Sequence, residues 1–360
     1  MRLGVEAAVV RGKIVPGDVD VEDGVVTAVG LVNGATGRIA IPGFVDIQVN
    51  GYAGVDFLAA GRAEYERAGE ALLEGGVTAY QPTFITAPEA GLVEVLREMP
   101  LDAQVIGAHI EGPFLSPERL GTHPPASRRD PDLELLERLL GVTRVTQLTL
   151  APELPGADVL IEHALERGVV VAAGHTNATA VQAHHAFDRG VSTVVHLFNA
   201  MRPFRSRDPG VAGVALTRRD VTVQLIVDGH HLSDETVRLI WAAAGGRAAL
   251  VTDATAGAGG GSGSYQLGDV DVEVAGGVPM REDGVFAGTV LTMLEAVRNL
   301  HALGVPFEAA VGAATDVPAG IVGRPDLGVL EPGARADIVV LDDRLEISQV
   351  LSGGEAYVVA

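Results

Sequence analysis

Glu111, His175, His196 and Asp253 each close, or nearly close, a short run of buried-strand character: QVIGAHIE, VVVAAGH, STVVHL and AALVTD. A strand buried on both faces reads as a continuous apolar run, so ionisable groups at its end mark a site rather than a core. In a barrel of parallel strands such ends converge on one face. Two histidines and one carboxylate can hold a divalent cation and leave a position open for water. Asp253 is then free to move protons. The chemistry this constellation fits is metal-dependent hydrolysis. The chain has no cysteine, which leaves His, Asp and Glu as its strong ligands.

His109 lies two residues before Glu111 on the same strand face, where a packed barrel-interior histidine is favoured over a ligand. His184 and His185 fall mid-helix, as surface or packing residues. His123, in LGTHPPA, sits in the loop beyond the third strand and can reach the same face as Glu111. His230 and His231 follow the seventh strand in VDGHHLSD and face the barrel mouth. Arg202, Arg205 and Arg207 follow the sixth strand in HLFNAMRPFRSRDPG, next to His196. With the backbone amides of Asn199 and Ala200 they form the best candidate for an anion site.

The elements that must position these groups alternate. Eight strand-like runs lie at 41–48, 77–84, 104–111, 146–152, 168–174, 191–197, 222–228 and 248–253. Between many of them are helical patterns, at 63–76, 131–141, 157–168, 179–190 and 233–246, most closed by glycine, with a further helix at 288–304. Eight alternations predict an α/β fold, a (β/α)₈ TIM-like barrel. Both termini read as strands, and neither end can bury a core alone. Residues 1–40 and 323–360 are therefore paired as one small discontinuous β-sandwich domain around a barrel of 41–322. The Gly-rich segment 256–274 reads as a disordered loop, or in a sharper reading as a mobile flap beside the eighth strand.

The composition limits the partners. Of the 360 residues 47% are hydrophobic, enough for one large core and an accessory unit. No apolar stretch approaches the roughly 18–20 residues of a membrane span, and no signal-peptide pattern is read at the N-terminus, so the expectation is a cytoplasmic protein. A formal net charge of −21 argues against nucleic acid or an anionic membrane as partner. Any anion must be held by local donors.

The motifs IPGFVDIQVNGYAGVDF (41–57), GAHIEGPFLSPERLGTHPPA (107–126), AGHTNAT (173–179), HLFNAMRPFRSRDPG (196–210), VDGHHL (227–232) and LVTDATAGAG (250–259) resemble those of the N-acetylglucosamine-6-phosphate deacetylase family of the amidohydrolase superfamily. LAPE (150–153), AGTVLTMLEAVRN (287–299) and GVLEPGARADIVVLD (328–342) extend the resemblance over nearly the whole chain. It implies deacetylation of N-acetyl-D-glucosamine 6-phosphate, within amino-sugar catabolism and cell-wall recycling, by a homodimer. It implies Glu111, His175 and His196 as metal ligands and Asp253 as the acid/base. It places His123 at the acetyl carbonyl and Asn199, Ala200 and Arg207 on the phosphate. His231 would contact the sugar or its phosphate, in its own or a neighbouring subunit's site. Where many superfamily members carry His-x-His after the first strand, this chain has Gln48-Val49-Asn50, as in the single-metal branch. One divalent ion per subunit is expected: zinc suits the ligands, with iron, manganese and cobalt open.

Overall fold

The computed structural model describes residues 1–32 and 37–357. Eight strands form the central sheet: Phe44–Val49, Val77–Ile85, Ala108–Glu111, Val145–Leu150, Val170–Ala173, Thr193–Val194, Thr222–Leu225 and Ala248–Leu250. They lie side by side in chain order, and every neighbouring pair is parallel. The sheet closes on itself just beyond the ends of its first and last strands. There the Asp253 amide donates to the Gln48 carbonyl at 2.9 Å, and the Asn50 amide to the Ala254 carbonyl at 2.7 Å. The result is the expected (β/α)₈ barrel, its seam at the end where the candidate residues stand.

The helices stop and start where their end chemistry directs. Thr179 caps Ala180–Asp188 and Thr292 caps Met293–Ala302, each in a reciprocal capping box with Gln182 or Glu295. Asp132 and Ser233 cap Leu133–Leu140 and Asp234–Ala244 by accepting from the amide three residues on. Arg62–Glu74 ends at the glycine pair 75–76, with Gly76 at φ +82°. The helix Gly210–Thr217 carries no amphipathic period, because all but its last residue are buried. A helix buried on every side has no polar face for a sequence pattern to display.

Several expected strands are shorter than their apolar runs. The run at 41–48 divides between two sheets. Ile39–Pro42 pairs with Ala7–Val10 and Ile338–Leu341 in a six-stranded sheet built from both ends of the chain, and the barrel begins at Phe44. A two-stranded hairpin, Asp18–Glu22 with Val25–Leu31, joins this sheet through a separate small core that includes Leu3, Val19, Val26, Ile338 and Leu351. The segment 256–274 is not the disordered loop favoured on composition. Gly263–Leu267, Val270–Ala275 and Val278–Met280 form a three-stranded antiparallel sheet beside the barrel mouth. The alternation of Val270, Val272 and Val274 is a strand signal that the neighbouring glycines obscured.

Candidate active site

Glu111 ends the third barrel strand, while His175, His196 and Asp253 lie two or three residues beyond the fifth, sixth and eighth. These three leave their strands through left-handed backbone, with φ of +47°, +27° and +50°. Non-glycine residues adopt that region at a cost of order 1–3 kcal/mol, held there by the surrounding structure. Beside Asp253 a second backbone pass is required. Gly288, at φ +65°, lies so close that a Cβ on it would stand 2.5 Å from the Asp253 carbonyl oxygen. Only glycine fits.

The side chains converge. His196 Nε2 lies 2.9 Å and His175 Nε2 3.3 Å from Glu111 Oε1, all three residues being buried. Their potential ligand atoms all lie within 4.8 Å of one another. His175 Nδ1 is 3.0 Å from the Arg119 carbonyl, an acceptor, so that nitrogen carries the proton and the Nε2 lone pair faces the carboxylate. Two electron-rich atoms aimed at each other without a donor fit a cation between them, with Arg119 as the outer acceptor such a histidine ligand needs. The donor set therefore fits one divalent ion held by Glu111, His175 and His196.

His123 approaches from the other side, its Nε2 3.8 Å from Glu111 Oε2. The backbone amide of Thr86 donates to His123 Nδ1 at 3.2 Å, which leaves the proton on Nε2, directed into the site. Burial first, and the neighbouring His175 second, hold His123 well below the usual histidine range, so it stays neutral and serves as a hydrogen-bond donor. Asp253 is pushed up to about 6 by burial first and by the Glu111 charge second. Asn50 Nδ2 donates to Asp253 Oδ1 at 2.7 Å, and Gln48 Nε2 to Glu111 Oε1 at 3.3 Å. The two residues read as poor metal ligands thus act as amide donors to the two carboxylates.

Glu111, His175, His196, His123, Asp253 and Asn50 line a cavity of about 200 Å³ that also takes in Asn199, Ala200 and His231, with Ile85, Leu267, Val285 and Phe286 as apolar walls. Asp228 accepts from His231 Nδ1 at 2.7 Å and fixes the ring. The structure does not bring Arg207 here: it is exposed and absent from the cavity lining. Arg202 is engaged elsewhere, 2.6 Å from Asp208. His109 lies beneath the site with its ring nitrogens 2.8 Å from Thr149 Oγ1 and 3.3 Å from Thr83 Oγ1, held down to about 4 by burial. It packs the barrel interior. His184 and His185 are exposed on their helix.

Sequence reading passed over Thr86, the donor role of Asn50 and the walls from the 263–280 sheet. Thr86 follows the run VTAYQPTFI as the other site residues follow theirs, so the strand-end rule reaches it, as it reaches Asn50 after FVDIQV. The partner of Asn50 and the walls had no local signal.

The amidohydrolase family model matches residues 39–357. This chain belongs to the amidohydrolase family. Among curated relatives it is 36% identical to the human N-acetylglucosamine-6-phosphate deacetylase, over 89% of this chain and 83% of that protein. It is 34% identical to an N-acetylgalactosamine-6-phosphate deacetylase of Escherichia coli, over 93% of each. Among solved structures it superposes with TM-score 0.94 and 35% identity on a Mycobacterium smegmatis N-acetyl-D-glucosamine-6-phosphate deacetylase, over 99% of this chain and 98% of that one. That structure is of an aspartate-to-alanine mutant in complex with N-acetyl-D-glucosamine 6-phosphate. Among the described residues no helix is long and apolar enough to cross a membrane.

Proposed function

We propose that this amidohydrolase removes the acetyl group of N-acetyl-D-glucosamine 6-phosphate, giving glucosamine 6-phosphate and acetate. The observation that carries the reading is the convergence on one cavity of a cation-shaped Glu-His-His set, a proton carrier near neutrality and a neutral histidine donor. Glu111, His175 and His196 would hold a divalent ion, which when bound would supply Lewis acidity to the reacting oxygens. Asp253 takes the proton of the attacking water, for which a carboxylate poised near 6 is suited. The Nε2–H of His123 donates to the carbonyl oxygen as charge develops on it. Asp253 then returns the proton to the nitrogen, so that the C–N bond breaks to give a neutral amine rather than an amide anion. Acetate release from the phosphorylated sugar, with metal analysis of the same preparation, tests the reading. The E. coli relative motivates running the galactosamine epimer beside it. Faster turnover of that epimer would reassign the substrate.

Zinc is the ion we favour for two histidines and one glutamate, with iron, manganese or cobalt as the options to test. The protein should hold about one ion per chain. The Gln48 and Asn50 amides already donate to the carboxylates where a second ion would need ligands. Elemental analysis of protein purified without added metal checks this, and two tightly held ions would overturn it.

For the phosphate we assign Asn199, Ala200 and His231 in the same chain. Ala200 borders the cavity, and its amide makes no hydrogen bond among the described residues. Arg207 is exposed, on the same loop as Phe204, itself 54% exposed. Its role on the phosphate is therefore best met from a neighbouring subunit, in a homodimer. Arg207→Ala should lower kcat/KM about ten- to a hundred-fold for the phosphorylated sugar and far less for N-acetylglucosamine itself. Arg202→Ala, which frees Asp208, should affect both sugars alike. Equal losses on both sugars for Arg207→Ala would make Arg207 a loop-structure residue. A monomeric mass at assay concentration would exclude its action across an interface. A phosphate dianion does not cross a bilayer unaided, which supports a cytoplasmic enzyme.

A further inference from the structure

The cavity owes part of its wall to the three-stranded sheet of residues 263–280, and the tip of that sheet is tied to the barrel by one carboxylate. The hairpin turns at Gly268–Asp269, between the paired residues Leu267 and Val270. Gly268 has φ +57°, and a Cβ on it would lie 2.8 Å from Leu58 Cδ1, so the tip sits directly on the loop that follows the first barrel strand. Asp56, on that loop, divides its oxygens. Oδ2 accepts the Gly268 amide at 2.6 Å, and Oδ1 accepts the Leu58 amide at 3.0 Å. Around this contact Leu267, Val272, Ile85 and Ala287 make a small buried cluster of their own, apart from the barrel core. Leu267 and Ile85 are also cavity walls.

We propose that Asp56 is a positioning residue for substrate binding: by holding the Gly268 amide it pins the hairpin across the cavity mouth and keeps Leu267 against Ile85 as the wall on which the sugar packs. A small cluster of four buried side chains has few contacts to hold the tip without this charge-assisted bond. The reacting groups stand on other elements, so the loss of the contact weakens binding and leaves the chemical step in place. The inference rests on the deacetylase reading for its substrate, but not for the contact itself.

The test uses full-length enzyme carrying Asp56→Ala or Asp56→Asn, with kinetics on N-acetylglucosamine 6-phosphate and backbone hydrogen exchange without substrate. KM should rise about tenfold or more in Asp56→Ala, with kcat held within about threefold. Exchange at 264–274 should quicken by at least about tenfold while the helix Ala180–Asp188 keeps its protection. Asp56→Asn, nearly the same shape with one acceptor oxygen left, should shift both readouts the same way by less, and it decides the matter if Asp56→Ala does not fold. Unchanged KM and exchange would overturn the proposal. So would a fall in kcat at constant KM, or a loss of protection spread over the whole barrel. If the wild-type protein released no acetate the deacetylase reading would fail, and the exchange measurement would still decide whether Asp56 holds the hairpin.

Discussion

Asp253→Asn will lower kcat by about 10²–10⁴-fold, the range expected when one acid/base group is removed, while the protein keeps its metal. The amide retains the shape of the side chain and an oxygen for the Asn50 donor, but it can neither take the water proton nor return it to the leaving nitrogen. The wild-type kcat/KM should fall on the acid side as Asp253 takes up a proton and stops acting as a base; burial pushes that group up to about 6 in the metal-free protein, and the bound cation moves the limb to a pH below this. The variant should lack it. Stability moves the other way. A folded-state pKa raised from 3.8 to about 6 means that keeping Asp253 charged opposes folding above about pH 6, and that this opposition is gone below about 4. Metal-free Asp253→Asn should therefore melt higher than metal-free wild type at pH 8, the gap closing as the pH falls toward 4. Near-normal turnover by the variant across the pH range would remove Asp253 from the proton path.

His175→Ala should lose metal and activity together. It removes one of the three proposed ligands and the ring that links the Glu111 carboxylate to the Arg119 carbonyl. Removing an outer partner of a histidine ligand typically weakens metal binding 10–100-fold, so loss of the ligand itself should exceed about 100-fold. Competition with a chelator, followed by elemental analysis, reads this without reference to turnover. The contrast with Asp253→Asn separates the two roles: one variant is inactive and loaded, the other inactive and empty. A His175→Ala protein that held its ion against the chelator as wild type does would displace His175 from the ligand set.

Strand-end chemistry made much of this protein legible before any coordinates. A parallel barrel strand is apolar along its length and tolerates an acid or histidine only where it emerges, so Glu111, His175, His196 and Asp253 announced both the barrel and the end at which they converge. Helix ends were legible for a related reason, since capping is a local bond between residues three apart, as at Thr179 and Ser233; the helix expected from 288 starts only at Met293, after its cap Thr292. What depends on residues distant in sequence was not legible. The left-handed turns that aim His175, His196 and Asp253 are held by the surrounding fold rather than by their own residue types. Asn50 became a donor to Asp253 only because the barrel closes between its first and last strands, bringing together residues 203 apart in sequence. Gly210–Thr217 hid its helix because burial on all sides erases periodicity. The tip of the hairpin in 263–280 is tied by Asp56, 212 residues before Gly268. The outward placement of Arg207 likewise belonged to the course of its loop, not to its charge. Residue type and local spacing determined which groups could do the chemistry, whereas barrel closure and long-range hydrogen bonds decided which of them meet, because those contacts exist only once the chain has folded.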